Sequence, residues 1–449
     1  AGGRGLGAVR DLRKGELVLR VPRSALITTE SLLKKDQALS IGVRGYPCLC
    51  PAQVLCVCLL YEMGKGKSSP WYPYLISLPR SYTLLASFSE FEKHALQVDD
   101  AIWTAEKAGS KAKLQWKEVI PLMEDLGLQR RYRSFRAWIW ASSTISSRTM
   151  HIPWDEAGCL CPVADLFNYA APGDETKDYG EHETTYLADD SRSFEGDSYT
   201  SVVTQTDEFS RSLTDARFEE ENGSYCFFAR RNYRTGEQVL LSYGTYTNLE
   251  LLEHYGFLLD GNPNEKFFIP LEPSMCTSSN SWPEDSMFIH PNGKPSFALS
   301  STLRLWATPP AQRRSVGHLA YSGSQLSVDN EVSVMKWILK KCRVILSDLP
   351  TTSEEDIRLL STIHKMQSTR DVVEIEMAMS EFGGETSSFH EANLKGKTRD
   401  ETFLSTETRS AIERWQLAVK WRCTYKRILN DCISFCTETI SSLQTNNSK

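Results

Sequence analysis

Four short segments of this chain carry side chains whose types and spacing could do chemistry. Gly3-Arg4-Gly5-Leu6-Gly7 precedes an apolar stretch, and its glycines let backbone N–H and C=O groups approach a ligand closely. A dinucleotide-binding loop needs a strand before it and a helix after it; here a strand follows, so that reading fails. Ser146-Ser147-Arg148 closes an aromatic helical segment, and Asp165-Leu166-Phe167-Asn168-Tyr169 comes next, at the end of a short strand. Leu240-Leu241-Ser242-Tyr243-Gly244 then leads through NLELLEHY to Tyr255-Gly256-Phe257. A guanidinium, a carboxylate, an amide and phenol hydroxyls are groups that can hold and orient a polar ligand. Taken singly, each is ordinary: Arg148 reads as a surface arginine, and the two tyrosines read as core aromatics.

The surrounding patterns define the elements that must position these residues. Residues 7–22, GAVRDLRKGELVLRVP, predict a strand, a turn at Lys14-Gly15 and a second strand ending at Pro22, a hairpin that opens the domain. From Pro51 the pattern turns helical. PAQVLCVCLLYEM, FSEFEKHALQVDDAIWTAEKA, SKAKLQWKEVIPLMEDL and RYRSFRAWIWASSTISSR repeat apolar residues at spacings of three and four. CPVADLFNYAAPGD reads as a short strand entering a Pro-Gly loop, and SYCFFARRNYRTGEQVLLSYG as strand, turn at Thr235-Gly236, strand. Beyond Pro270 the chain reads as loop to about residue 325, then as helices in VSVMKWILKKCRVIL, EDIRLLSTIHKMQS and TRSAIERWQLAVKWRCTYKRILNDCISFC. No internal repeat is apparent.

A length of 449 residues favours two packed units. Hydrophobic residues at 41% and charged residues at 24%, with 11 Trp, 17 Tyr and 18 Phe, give the profile of a globular, aromatic-rich intracellular protein. No apolar run reaches the roughly 18 residues that span a bilayer, so a soluble protein is expected. The sequence opens at Ala1 on a glycine turn, so a leader or first element is expected to precede this fragment, which leaves the compartment open. Net charge is −6, but Asp174–Glu221 holds 15 acidic and 4 basic residues and so leaves the remainder near +5. Direct nucleic-acid binding is not expected from this balance, and the acidic insert reads as a solvated spacer.

Of the 12 cysteines, Cys48, Cys50, Cys56 and Cys58 are the most tightly grouped. Zinc ligand pairs favour two to four intervening residues, which CxC-x5-CxC does not supply, and Cys56 and Cys58 sit inside an apolar run. They read as core thiols, and no metal is expected.

In order and content, the whole series resembles the SET-domain protein methyltransferases. The likeness is to the branch typified by the Rubisco large-subunit methyltransferase and the related actin-histidine methyltransferase. The glycine-rich turn, the KGE hairpin, SxWYPYLxxLP at Ser69 to Pro79, the helix ending in SR, DxxN, the SYG strand and the terminal YGF occur in the family's order over residues 2–271. The resemblance implies an α+β architecture: a SET β-fold over residues 1–270 with a helical insertion at about 48–150 and the acidic insert at about 174–221. A mostly α-helical substrate-binding domain over 271–449 would follow. It also implies S-adenosyl-L-methionine as cofactor, a protein substrate and a monomer. The backbone around Arg4, Gly5 and Leu6 would hold the methionine moiety, Arg148 would meet its carboxylate, and Asn168 and Tyr169 would line the amino and adenine ends. Asp165 would lie beside the cofactor and substrate pocket. Tyr243 matches the catalytic tyrosine, also beside the cofactor, and Tyr255 and Phe257 match the aromatic walls of the substrate channel. Two departures stand out. Tyr169 replaces the family's usual histidine, and only Cys276 lies where histone-directed relatives carry a zinc-binding triplet.

Methyl transfer to an amine is an in-line displacement that requires alignment and exclusion of water. Deprotonating a lysine with a pKa near 10.4 at neutral pH costs roughly 4.6 kcal/mol, which like-charge repulsion by a sulfonium and desolvation in an aromatic channel would lower. The function expected is therefore protein-lysine N-methylation. The alternatives are a same-fold histidine methyltransferase, whose acceptor ring needs a partner for its second nitrogen, and a catalytically silent SET-fold binding module.

Overall fold

The computed structural model describes residues 4–172, 215–272, 275, 282–369, 374–375, 377, 379, 384–394 and 405–447. Gly3, Cys276 and the acidic stretch as far as residue 214 lie outside the described residues. The chain divides into two compact units, Ala1–Ser40 with Arg148–Thr245, and Ile41–Ser147 with Tyr246–Lys449.

The first unit is built from short strands: β1 (Leu6–Gly7), β2 (Leu17–Pro22), β3 (Thr149–Ile152), β4 (Asp155–Leu160), β5 (Asn168–Tyr169), β6 (Ala216–Glu219), β7 (Ser224–Phe228) and β8 (Gln238–Leu241), with helix α1 at Thr29–Lys35. They form sheets of order β1-β8-β5, β2-β7-β6 and β3-β4. The expected hairpins do not form. β1 and β2 do not pair with each other, and neither do β7 and β8. Instead the two strand-turn-strand segments pair across, antiparallel, in one register that runs from Leu6↔Val239 through Leu12↔Tyr233 to Leu17↔Phe228.

The structure also shows a short repeat that is not apparent in the sequence. Asp11-Leu12-Arg13-Lys14-Gly15-Glu16 and Asn232-Tyr233-Arg234-Thr235-Gly236-Glu237 make the same turn. In each, the glutamate N–H donates to the arginine carbonyl at 3.0 Å, and the glutamate side chain accepts from the arginine N–H, at 3.0 and 2.9 Å. Gly15 and Gly236 sit at φ +80° and +89°, where a side chain is strained. The turns also cap each other, Lys14 N–H donating to Asn232 Oδ1 (2.9 Å) and Thr235 N–H to Asp11 Oδ1 (2.8 Å). Two tight turns of one hand that satisfy each other's donors hold the paired segments in register, a long-range match that hairpin rules, which read only local order, do not capture. Beneath them Leu26, Cys161, Phe167, Phe227 and Tyr233 are buried in one core.

In the second unit the helical readings hold in outline. Its helices follow α2 (Gln37–Arg44): α3 (Pro51–Lys65), α4 (Tyr72–Leu75), α5 (Glu90–His94), α6 (Asp99–Asp125), α7 (Phe135–Arg148) and α8 (Asn248–His254), then α9 (Phe297–Trp306), α10 (Arg313–Tyr321), α11 (Val328–Asp348), α12 (Ser353–Ser368), α13 (Glu385–Asn393) and α14 (Thr406–Asn447). β9 (Phe267–Phe268) and β10 (Phe288–Ile289) pair antiparallel. Cys56 and Cys58 are buried on α3, whereas Cys48 and Cys50, also expected as core thiols, are exposed ahead of the helix. Two differences have clear causes. The run expected as one helix from Phe88 breaks between α5 and α6, where Gln97 takes φ +62°. Helices α9 and α10 lie where loop was expected; α9 is buried from Ala298 to Leu305 except at Ser300, so it shows no one-sided stripe to read. No described helix is long and apolar enough to cross a membrane.

A buried ionic clasp fixes α14. Asp356 (0% exposed) accepts from Arg422 Nη2 at 2.7 Å and from Lys426 Nζ at 2.6 Å, both cations being themselves buried. Arg422 also reaches Ala95 O (2.6 Å) and Glu385 (3.0 Å), and Lys426 reaches Thr351 O (2.6 Å) and Gln97 Oε1 (3.1 Å). Burial alone would push the Asp356 carboxyl up, but the hydrogen bonds and charge of Arg422 and Lys426 hold it below its ordinary value. Its contribution is therefore present at neutral pH and is lost as pH falls through that lowered value. Asp356→Ala leaves two buried cations with one carboxylate fewer and should cost about 3–5 kcal/mol in urea-induced unfolding. A loss below about 1 kcal/mol would show that the clasp is not what holds α14.

Candidate active site

Strand β8 explains why the scattered motifs meet. It pairs antiparallel with β1 along one edge (Leu6↔Val239) and parallel with β5 along the other (Asn168↔Leu240, Tyr169↔Leu241), so the glycine turn and the DxxN segment flank one strand. Asn168 Nδ2 donates to Arg4 O at 3.3 Å. A Cβ on Gly5 would lie 1.9 Å from Gln238 Nε2 and 2.9 Å from Asn168 Nδ2, so glycine here is what lets two amide side chains close on the backbone.

Arg148 ends α7, and Asp165 sits on a 3₁₀ turn at Ala164–Leu166 that the sequence reading took for strand. Arg148 Nη1 donates to Asp165 O at 2.9 Å and to its Oδ2 at 3.0 Å. That turn is entered through Val163 at φ +73°, a conformation β-branched residues rarely adopt and one that marks functional segments.

Tyr243 and Tyr169 brace each other. Tyr243 donates its hydroxyl to Phe167 O, Tyr169 donates to Gly244 O at 2.9 Å, and the rings are tilted with centroids 5.2 Å apart. The residue that departs from the family pattern is thus a buried strut of the tyrosine matched to catalysis. Burial pushes the Tyr243 phenol well above its ordinary value, an effect that Arg148 opposes and Asp165 reinforces. At neutral pH it keeps its proton and donates a hydrogen bond.

The sequence reading missed several supports. Arg230, 9% exposed, donates to Ala170 O at 3.1 Å, and Asp215 Oδ2 accepts from Ser242 N–H at 3.1 Å, so the strand ends bearing Tyr169 and Tyr243 are both tied down. Within an arginine-rich turn and an acidic run, neither residue stands out by type.

In the second unit, Tyr255 and Phe257 lie beside Tyr246, which the sequence reading also missed although it closes the YGTY sequence. The Tyr246–Tyr255 centroids are 5.4 Å apart and the Tyr255–Phe257 centroids 6.2 Å. Helix α8 lies between Tyr246 and Tyr255, and its first N–H, that of Asn248, donates to the buried Glu265 carboxylate at 3.2 Å to each oxygen. Asn248 also straps Leu259 through both ends of its amide, at 2.8 and 3.1 Å.

A zwitterionic ligand needs an acceptor for its ammonium and a cation for its carboxylate. Arg4 O and Asn168, beside the opened backbone at Gly5, are groups of the first kind and Arg148 is one of the second, so the residue types present match the chemistry of the amino-acid end of S-adenosyl-L-methionine. This fold and this site define a protein of the SET class, and the comparisons bear that out. The SET domain family matches residues 3–244, and the Rubisco LSMT substrate-binding family matches residues 275–429. The chain belongs to the SET-domain protein methyltransferase family. It is 52% identical to Protein SET DOMAIN GROUP 40 of Arabidopsis thaliana, over 99% of this chain and 89% of that protein. Against the human actin-histidine N-methyltransferase it is 25% identical, over 84% of this chain and 62% of that one. The solved structure of Rubisco LSMT bound to AdoMet shares the fold, with a TM-score of 0.52 at 19% identity over 98% of this chain and 86% of that one.

Burial pushes the Glu265 carboxyl up to about 7, against the backbone hydrogen bonds from Asn248 and Lys266. A raised carboxyl contributes stability below its unfolded value, and that stability is lost as pH rises through the folded value. Thermal midpoints should therefore fall as pH rises through about 7, and Glu265→Gln should flatten that fall. An unchanged pH slope in the variant would remove Glu265 as the responsible group.

Proposed function

We propose that this chain transfers the methyl group of S-adenosyl-L-methionine to the side-chain amine of a lysine in a protein substrate, with residues 1–270 as catalytic domain and 271–449 as substrate-binding domain. The observation that carries the proposal is the state of the Tyr243–Arg148–Asp165 group: a buried phenol kept protonated, and a carboxylate engaged by a guanidinium. Neither is placed as a general base. Such a site suits an amine that becomes nucleophilic by losing its proton through desolvation and like-charge repulsion, rather than an imidazole that needs a partner for its second nitrogen. The bound cofactor supplies a methyl group on a sulfonium.

The chain's own residues have separable roles. Arg4, Gly5 and Leu6 present backbone to the methionine moiety, Arg148 its cation, and Asn168 its amide. Tyr169 braces Tyr243 and takes the adenine end, and Asp165 orients Arg148 beside the pocket. Tyr243 offers a preorganised hydroxyl to the reacting centre, and Tyr255 and Phe257 supply aromatic surface for the acceptor side chain. The likeness to actin-histidine N-methyltransferase over most of the chain supports histidine as the second reading. The acceptor is settled by incubation with labelled cofactor and a cell lysate, followed by identification of the modified residue; methylhistidine in place of methyllysine overturns the lysine assignment.

Tyr243→Phe keeps the ring and should leave cofactor affinity nearly unchanged while slowing single-turnover transfer by about 10²- to 10³-fold. Normal turnover would reduce Tyr243 to a core aromatic. Arg148→Ala and Asn168→Ala should each weaken cofactor binding by about 1–3 kcal/mol in calorimetry, and undiminished affinity in both would remove the cofactor-site assignment.

A further inference from the structure

The Ser69–Pro79 motif, SPWYPYLISLP, takes no part in the site described above, yet the second unit holds it firmly. Ser69 Oγ donates to the buried Glu62 carboxylate of α3 at 2.5 Å, and Trp140 of α7 donates its indole N–H to Pro79 O at 2.8 Å. So anchored, the motif walls an apolar trough of about 460 Å³ with Leu60, Met63, Leu75, Leu78 and Ala137, and Ile76 stands 61% exposed on its lip. A second hollow of about 750 Å³ adjoins the first, and Arg80, Arg136 and Trp140 line both.

The basic side chains of this continuous groove differ in how far they are already used. Lys93 is engaged by Glu90 (2.7 Å), Arg414 by the buried Glu92 (2.9 Å), and Arg136 by Glu407. Arg131 lies over the Tyr132 ring, 4.6 Å from its centroid, with its hydrogen-bonding edges open to a further partner. Arg80, exposed where trough and hollow join, makes no hydrogen bond or ion pair among the described residues, and Lys113 stands exposed on the hollow wall. In a chain of net charge −6, this places exposed positive charge around an apolar slot, with Arg80 unpaired among the described residues and Lys113 acting only through its charge on Glu90.

We propose that this groove docks an acidic segment of a protein partner, anchored by a large apolar side chain in the trough, with flanking carboxylates on Arg80, Arg131 and Lys113. Arginine forks suit carboxylates, and aliphatic walls suit Leu, Ile or Phe better than they suit nucleic-acid bases, which stack on open aromatic faces. The groove lies wholly within one unit, and its occupancy does not depend on the methyl-transfer assignment.

The test uses the full chain without cofactor and a short labelled peptide with a Leu-Phe pair flanked by runs of Glu, followed by fluorescence anisotropy at low and high salt. Saturable binding is expected, weakening about tenfold or more at high salt and by a similar factor in Arg80→Glu. Ile76→Asp, and a peptide with Ser in place of Leu-Phe, should each lose most of the binding, because both remove the apolar anchor. Residues 76 and 80 are exposed, so both variants should melt like the parent. Absence of saturable binding, affinity unchanged in both variants, or displacement by a single-stranded oligonucleotide at equal concentration would each overturn the proposal.

Discussion

Strand β8 is paired on both edges, and the candidate site depends on that double pairing. A four-residue strand has little stability of its own. It is held because segments from near the start of the chain and from its middle satisfy its backbone on either side, one antiparallel and one parallel. The same pairing sets the glycine turn at residues 4–7 against Asn168, and it ends where Tyr243 begins. Loss of register at β8 would separate the chemical groups and turn the buried Val239 and Leu241 away from the core at once, because a one-residue slip turns every side chain of a strand to the opposite face.

Around that strand, polar groups act as struts. Tyr169 and Tyr243 exchange support through each other's neighbouring carbonyls, Phe167 O and Gly244 O. Arg148 spans Asp165 through both its backbone and its carboxylate. Arg230 and Asp215 secure the strand ends from behind. The outcome is electrostatic as well as geometric: a buried phenol that stays protonated and a carboxylate held by a cation. A site of this kind favours positioning and hydrogen-bond donation over proton abstraction.

The helical unit follows a different economy. Its core is broad and apolar, with Trp415 stacked on Phe389 at 4.7 Å, yet it buries Asp356, Arg422 and Lys426 together at the centre. Ions so placed contribute little net stability but penalise any arrangement that separates them, so they specify how α12 and α14 meet. The Gln97 and Ala95 carbonyl contacts extend that specification to the break between α5 and α6. The groove beside Arg80 sits on this fixed frame, and its walls come from side chains whose backbones are already anchored.

The helices at Val328, Ser353 and Thr406 were legible because each buries one face at a 3.6-residue period, and the order of short motifs identified the family because their residue types are unusual in that sequence. Helix α9 was illegible for the opposite reason: burial on nearly every side leaves no period. The paired RKGE and RTGE turns looked like two local hairpins, since a turn signal carries no information about which strand will be found across it. Tyr169 read as a departure from the family, and only packing shows that it braces Tyr243. Arg230, Asp215 and Tyr246 had no sequence signal beyond type. The sequence by itself determined where the one-sided helices form and which chemical groups are available, because those follow from local period and residue type. The tertiary structure alone decided which strand edges meet, which charges neutralise one another and which tyrosine supports which, because those choices rest on contacts between residues far apart in the chain.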